Sequence, residues 1–167
     1  MRLHRLTTWS DNPDDAFSGE GARRSGGRWN PKGTAVVYTS TSIALALVEQ
    51  LVGMEAEDFA LLTVRFTIDL EPAQVETPDL AALPTDWNHP RRSDRARAFG
   101  RDWVESNRSL ALAVPSVVVP EERNVLLNPG HPDFPTLPFS GPLPFRFDKR
   151  LLKAPPPPTG LRKPRRR

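Results

Sequence analysis

Residues 26–50 read GGRWNPKGTAVVYTSTSIALALVEQ, and this stretch decides the architecture. Two glycines, an arginine and a tryptophan lead into TAVVYTS (34–40), whose alternation predicts a strand. Val36, Tyr38 and Ser40 share one face of that strand, and Val37 and Thr39 share the other. The next segment, STSIALALVEQLVGM (40–54), predicts a helix with Ser40 and Ser42 as candidate caps and Gly53 near its end. Three polar residues are set into this apolar frame: Arg28, the chain's one tyrosine Tyr38, and Glu49. Leu45 and Ala46 lie one turn before Glu49, and Val52 and Gly53 one turn after it. A carboxylate on a buried stripe costs several kcal/mol unless it is paired or hydrogen-bonded. Glu49 therefore either marks the wet edge of the helix beside Gln50 or belongs to a site.

Further out, residues 1–8 alternate weakly and predict an edge strand carrying Arg5. Residues 10–34 are rich in Gly, Asn, Asp, Pro and Ser and read as a long loop, pinned by Phe17 and Trp29. FALLTVRFTI (59–68) alternates as a second strand, and residues 71–93 are proline-broken and irregular. SDRARAFGRDWVESN (93–107) predicts an amphipathic helix with Ala96, Phe99, Trp103 and Val104 inward. LALAVPSVVVP (110–120) predicts a buried strand despite Pro115. Ser116 shares a face there with Leu112, Val114 and Val118, so it is either a small core residue or a hydroxyl turned into a pocket. NVLLNPGHPDF (124–134) suggests a turn and LPFRFDKRLL (143–152) a closing strand. Strands and helices mix without regular βαβ alternation, which predicts an α+β fold.

The 167 residues suit one domain with a sizeable core. With 38% hydrophobic and 26% charged residues, the composition is that of a globular protein rather than a disordered one. No run of about 18 apolar residues offers a membrane span. MRLHRLTTWSDNPDD (1–15) has no apolar export segment, and there is no cysteine for disulfide or thiolate chemistry. A cytoplasmic protein is expected. The pI of about 9.8 is misleading. LRKPRRR (161–167) holds five of the 23 basic residues, and without them 18 basic face 20 acidic residues, a net of −2. That tail follows the stiff spacer APPPPTG (154–160). A solvated terminus is the simpler reading, and direct nucleic-acid contact is not expected. A non-catalytic nucleic-acid-binding module using the tail is the alternative of another class.

Arg28 follows two glycines that let backbone approach a ligand, and its guanidinium could grip a pyrophosphate or simply pair with a carboxylate. Tyr38 offers a stacking face and a hydroxyl, or is ordinary core. GEGARRSGG (19–27) is a poor dinucleotide loop, since it neither follows a clear strand nor opens a helix. His4, His89 and His131 are scattered without metal-ligand spacing, and His131 reads as a turn residue. There is no nucleophile elbow and no P-loop.

SGEGARRSGGRWNPKGTAVVYTSTSIALALVEQL (18–51) closely resembles the core signature of the RES domain family, named for Arg, Glu and Ser. Those three would be Arg28, Glu49 and Ser116, with Tyr38 a further matching position. VPSVVVPEERNVLLNPGHPDF (114–134) resembles the second motif of that family, and HRL (4–6) and FRFDKRLL (145–152) fit its pattern. The likeness covers residues 1–153, leaving 154–167 as a Pro-rich basic tail. It implies the toxin of a type II toxin–antitoxin pair, with an ADP-ribosyltransferase-like fold holding NAD between two small β-sheets. It implies cleavage of the nicotinamide–ribose bond of NAD, by hydrolysis or phosphorolysis, or transfer of ADP-ribose to a macromolecule. The implied partner is an Xre-type helix-turn-helix antitoxin in a hetero-oligomer. NAD is then substrate, with no prosthetic group and no metal. On this reading Arg28, Tyr38, Glu49 and Ser116 are catalytic, and Arg5, Arg28, Tyr38 and Asn128 hold the dinucleotide. Bond cleavage passes through an oxocarbenium-like state that Glu49 would stabilise.

Overall fold

The computed structural model describes residues 1–8, 12–53, 63–89 and 93–152. The chain runs β1 (Arg2–Thr7), α1 (Pro13–Ala16), α2 (Glu20–Ser25), β2 (Val37–Ser40), α3 (Ile43–Gly53) and β3 (Thr63–Asp69). It continues through β4 (Val75–Glu76), α4 (Asp94–Ser106), β5 (Ala111–Pro115), β6 (Arg123–Leu127) and β7 (Phe139–Phe145). The strands form one sheet in the order β4-β5-β6-β2-β1-β3-β7. Every pairing is antiparallel except β4 with β5. The fold is α+β, a single domain around a mixed seven-stranded sheet.

The sheet has a weak line through its middle. β1 pairs with β3 along its whole length, from Arg2–Asp69 to Thr7–Val64, and β2 pairs with β6 from Val37–Leu127 to Ser40–Asn124. β1 and β2, by contrast, meet at one residue pair, His4–Ser40. The two small sheets implied by the sequence are thus halves of one sheet, joined at a narrow seam.

Alternation along the strands supplies two cores. Val37, Ala111, Ala113, Val125 and Leu127 pack with Phe17, Phe66 and Ile68 in one cluster. Val36, Leu112, Val114 and Leu126 pack with Trp29, Ala96 and Trp103 in the other. α4 caps its first turn with Ser93 Oγ, which accepts from Ala96 N at 3.1 Å, and turns Ala96, Gly100 and Trp103 inward. Gly100 is where Trp29 crosses the helix: a Cβ there would lie 1.7 Å from the Trp29 carbonyl oxygen. For α3 the capping side chain is Ser42, whose Oγ accepts from Leu45 N at 3.0 Å.

Three local expectations change. Residues 10–34 are not loop throughout, because α1 and α2 occupy part of them, and α2 begins within the segment GEGARRSGG. Phe17 and Trp29 do anchor the segment, Phe17 stacking on Phe139 at 4.2 Å and Trp29 on Trp87 at 6.4 Å. The closing strand is Phe139–Phe145, earlier than 143–152, which instead ends in a 3-10 turn at Lys149–Leu152. β7 carries Pro142 and Pro144, which an edge strand tolerates because its outward N–H groups need no ladder partner. The first residues expected in the 59–68 strand and the basic tail lie outside the described residues. Among the described residues no helix is long and apolar enough to cross a membrane.

Candidate active site

The apolar face that packs on α4 turns polar toward one end of the sheet. Tyr38, Leu126 and Leu112 form one cross-strand row. The next row on that face is Ser40, Asn124 and Val114, and Ser116 follows just beyond β5. Over this polar end lies α3. Its Leu45 and Ala46 are buried, whereas Val52 is 70% exposed, so Glu49 sits where the helix leaves the core.

Ser116 is fully buried and its hydroxyl is completely used. It accepts from Val118 N at 3.0 Å and Val119 N at 2.9 Å, and donates to Glu49 Oε1 at 2.7 Å. With both lone pairs occupied by backbone N–H groups, its proton has one destination, the carboxylate. Ser116 bonds backbone, as a small core residue would, and its hydroxyl reaches the polar cluster through Glu49 without lining the cavity itself. Asn124 Nδ2 donates to the same Oε1, while Asn124 Oδ1 accepts from Ser40 Oγ at 2.7 Å, which fixes the orientation of the amide. Two donors thus hold one oxygen of Glu49, leaving Oε2 as the oxygen available to a ligand.

Glu49 lines a cavity of about 250 Å³ together with His4, Arg5, Leu6, Tyr38, Ser40, Gln50 and Asn124. The cavity sits at the seam, where β1 and β2 part beyond His4–Ser40. There a side chain replaces the strand ladder: Arg5 Nη1 donates to the Tyr38 carbonyl at 2.9 Å. The Arg5 guanidinium also lies 5.9 Å from the centre of the Phe17 ring, within cation–π range. Burial pushes its pKa down to about 10, so it remains a cation at neutral pH. It has no carboxylate partner among the described residues. His4, beside it, is held below the usual imidazole range by burial first, then by Arg65 and Arg2, against a smaller opposing pull from Asp69.

The other expected site residues are placed differently. Arg28 Nη1 donates to the carbonyls of Trp87 and His89, both at 2.9 Å, and Arg28 is not among the cavity-lining residues. Tyr38 lines the cavity, but its hydroxyl is turned to the 27–30 loop, donating to Asn30 Oδ1 at 2.8 Å and accepting from Trp29 N at 3.1 Å. Gly27 abuts that phenol, for a Cβ would lie 2.3 Å from it. Asn128 is buried away from the cavity and ties the end of β6 to α4 and its cap: Nδ2 donates to Val104 O and Asn107 Oδ1, and Oδ1 accepts from Gly130 N. His131 Nδ1 accepts from Asp133 N at 3.2 Å, as a turn residue would. Sequence reasoning missed His4, Gln50 and Asn124. Asn124 alone had a local signal, a polar residue on the same strand face as Leu126. Among the described residues no group of three acidic or imidazole side chains is placed to hold a metal.

Fold and site define a small α+β protein with a carboxylate-centred cleft at the seam of its sheet. A family model described as RES domain matches residues 2–148. The chain is 42% identical over 159 residues to Toxin Res of Photorhabdus laumondii, covering 92% of this chain and 99% of that protein. It is 40% identical over 156 residues to Toxin Res of Yersinia enterocolitica, covering 90% and 95%. It is 36% identical over 146 residues to the Prs ADP-ribosylating toxin of Sphingobium sp., covering 83% and 88%. A solved structure, the M. tuberculosis MbcT–MbcA toxin–antitoxin complex, shares the fold, with a TM-score of 0.68 at 20% identity over 87% of this chain and 84% of that one. The chain belongs to the RES domain family, the family of the proteins named Toxin Res.

Proposed function

We propose that this RES-family toxin consumes NAD by breaking the bond between nicotinamide and ribose, with water or inorganic phosphate as acceptor. The observation that carries the reading is Glu49, held on one oxygen by Ser116 and Asn124 and lining a cavity that it shares with the buried cation Arg5. When the glycosidic bond breaks, its electron pair goes to the pyridinium nitrogen and nicotinamide leaves neutral. The departing ring needs no proton, so no histidine acid is required. Positive charge develops on the ribose carbon, where the second oxygen of Glu49 stabilises it. Low local dielectric strengthens that interaction. The acceptor then adds, and the proton it carries passes to solvent.

The cavity is small beside the roughly 300–1,000 Å³ of ordinary ligand sites, so it suits the nicotinamide riboside end rather than a whole dinucleotide. Arg5 is the cation at its wall. Arg28, held by the carbonyls at 87 and 89 on the loop that flanks Tyr38, is the second cation offered to the phosphates. Ser116 acts through Glu49 as a positioning residue, and Tyr38 positions the loop. Asn128 has no part in this proposal, because its amide is engaged elsewhere.

The test is mass spectrometry of NAD products from the purified chain, with and without inorganic phosphate. ADP-ribose and nicotinamide indicate hydrolysis, and a phosphate-dependent ADP-ribose phosphate indicates phosphorolysis. Absence of nicotinamide release under both conditions refutes the reading. One observation favours a second reading, ADP-ribose transfer to a macromolecule: the Sphingobium relative is named an ADP-ribosylating toxin. NAD labelled in its adenylate part separates the two, since transfer leaves label on a protein or nucleic-acid target.

An Xre-type antitoxin that covers the cleft in a hetero-oligomer is part of the proposal, as are a cytoplasmic setting and a catalytic domain ending near residue 153. Co-expression with the product of an adjacent gene tests the partner: suppression of toxicity and co-purification are expected.

A further inference from the structure

Three residues that line the cavity each carry a buried side-chain atom with no hydrogen-bond partner among the described residues: His4 Nδ1, Arg5 Nε and Gln50 Oε1. Leaving a buried polar group unpaired costs about 1–3 kcal/mol, so such atoms are rare and call for a reason. The remaining orphans among the described residues, on Thr63, Asp86 and Arg123, belong to none of the cavity's lining residues. Three such atoms on residues that line one hollow call for a polar ligand. Gln50 adjoins Glu49 on α3, and His4 adjoins Arg5 on β1, so both flank the groups already assigned to the reaction.

We infer that His4 and Gln50 form a specificity subsite that reads the carboxamide of the nicotinamide ring and rejects the corresponding carboxylate. The inference rests on the NAD reading above and goes beyond it by naming what distinguishes the substrate. A primary amide supplies an NH2 donor and a C=O acceptor. Gln50 Oε1 accepts one N–H, and the unprotonated Nδ1 of neutral His4 accepts the other. A carboxylate in the same place sets oxygen lone pairs against Gln50 Oε1 and His4 Nδ1, acceptor against acceptor. Sites that hydrogen-bond a substrate N–H reject analogues lacking it strongly, because the site's own groups are then left unpaired.

The experiment compares kcat/KM for NAD and for nicotinic acid adenine dinucleotide on the full chain, in wild type, Gln50→Leu and Gln50→Lys. Wild type is expected to prefer NAD by about a hundredfold or more. Gln50→Leu should reduce that preference at least tenfold, and Gln50→Lys should raise turnover of the acid form. A wild-type ratio within threefold of unity overturns the inference. So does a folded Gln50→Leu protein that loses activity equally on both substrates, since that marks a structural role. Should the variants fail to fold, inhibition of wild type by free nicotinamide and by nicotinate decides: nicotinamide is expected to bind at least tenfold more tightly, and equal inhibition overturns the subsite. If NAD is not consumed at all, the proposed function fails on its own, and calorimetric titration of wild type with the same two pyridines still tests the subsite.

Discussion

Glu49→Gln isolates the charge of the proposed site from its architecture. Ser116 and Asn124 both donate to Oε1, and a glutamine keeps an oxygen in that place. Each bond falls from the charged to the neutral class, a loss of about 1 kcal/mol apiece. A total near 2 kcal/mol in a chain of 167 residues lowers Tm by roughly 4–8 °C, and the protein stays folded. Catalysis should suffer far more. A carboxylate about 4 Å from a unit positive charge contributes about 4 kcal/mol at an effective dielectric of 20. Its removal therefore slows turnover about a thousandfold. The assay is chromatographic quantification of nicotinamide released from saturating NAD, alongside thermal unfolding of the same preparation. Turnover within tenfold of wild type in the folded variant refutes the role given to Glu49. A loss confined to KM refutes it too, because the charge would then act in the ground state alone.

Ser116→Ala removes one charge-assisted hydrogen bond of about 1.5–3 kcal/mol, so kcat should fall roughly ten- to 150-fold while KM moves less than about threefold. A KM effect without a kcat effect would contradict its positioning role. Gly100→Ala should invert the usual rule that alanine improves a helix interior by about 1 kcal/mol. The new methyl meets the Trp29 carbonyl at 1.7 Å, so urea unfolding should register a net loss of about 2–4 kcal/mol. For Glu20, hydrogen bonds from Arg23 and Arg24 push the carboxyl pKa down to about 2 from its ordinary 4.5. A depressed folded-state pKa means stabilisation present above about 4.5 and lost as pH falls through about 2. Glu20→Gln should therefore lower Tm at pH 7, with the difference from wild type closing by pH 2. A constant difference across that range would contradict the assignment.

Much of this molecule is local. The alternation of TAVVYTS, the apolar run of α3 and the amphipathic pattern of residues 93–107 were each legible because the period of a strand or helix is written in neighbouring residues. Glu49 and Ser116 stood out for the same reason, as polar residues on apolar faces. Boundaries were less legible where prolines sat in β7, since an edge position, not a residue type, is what makes them tolerable. His4 and Gln50 carried no local mark at all. Each looks ordinary until the fold brings both to the lining of one hollow.

The sequence by itself determined the α+β class, most of the elements and the identity of the carboxylate at the proposed centre. Only the tertiary structure decided that Glu49 meets Ser116 and Asn124, 67 and 75 residues away, and that Arg5 rather than Arg28 borders the cavity. The physical reason is that side-chain periodicity is set by the backbone of one segment. Which segments become neighbours is set by strand order and by where the ladder between β1 and β2 gives out, and no short window of sequence contains either.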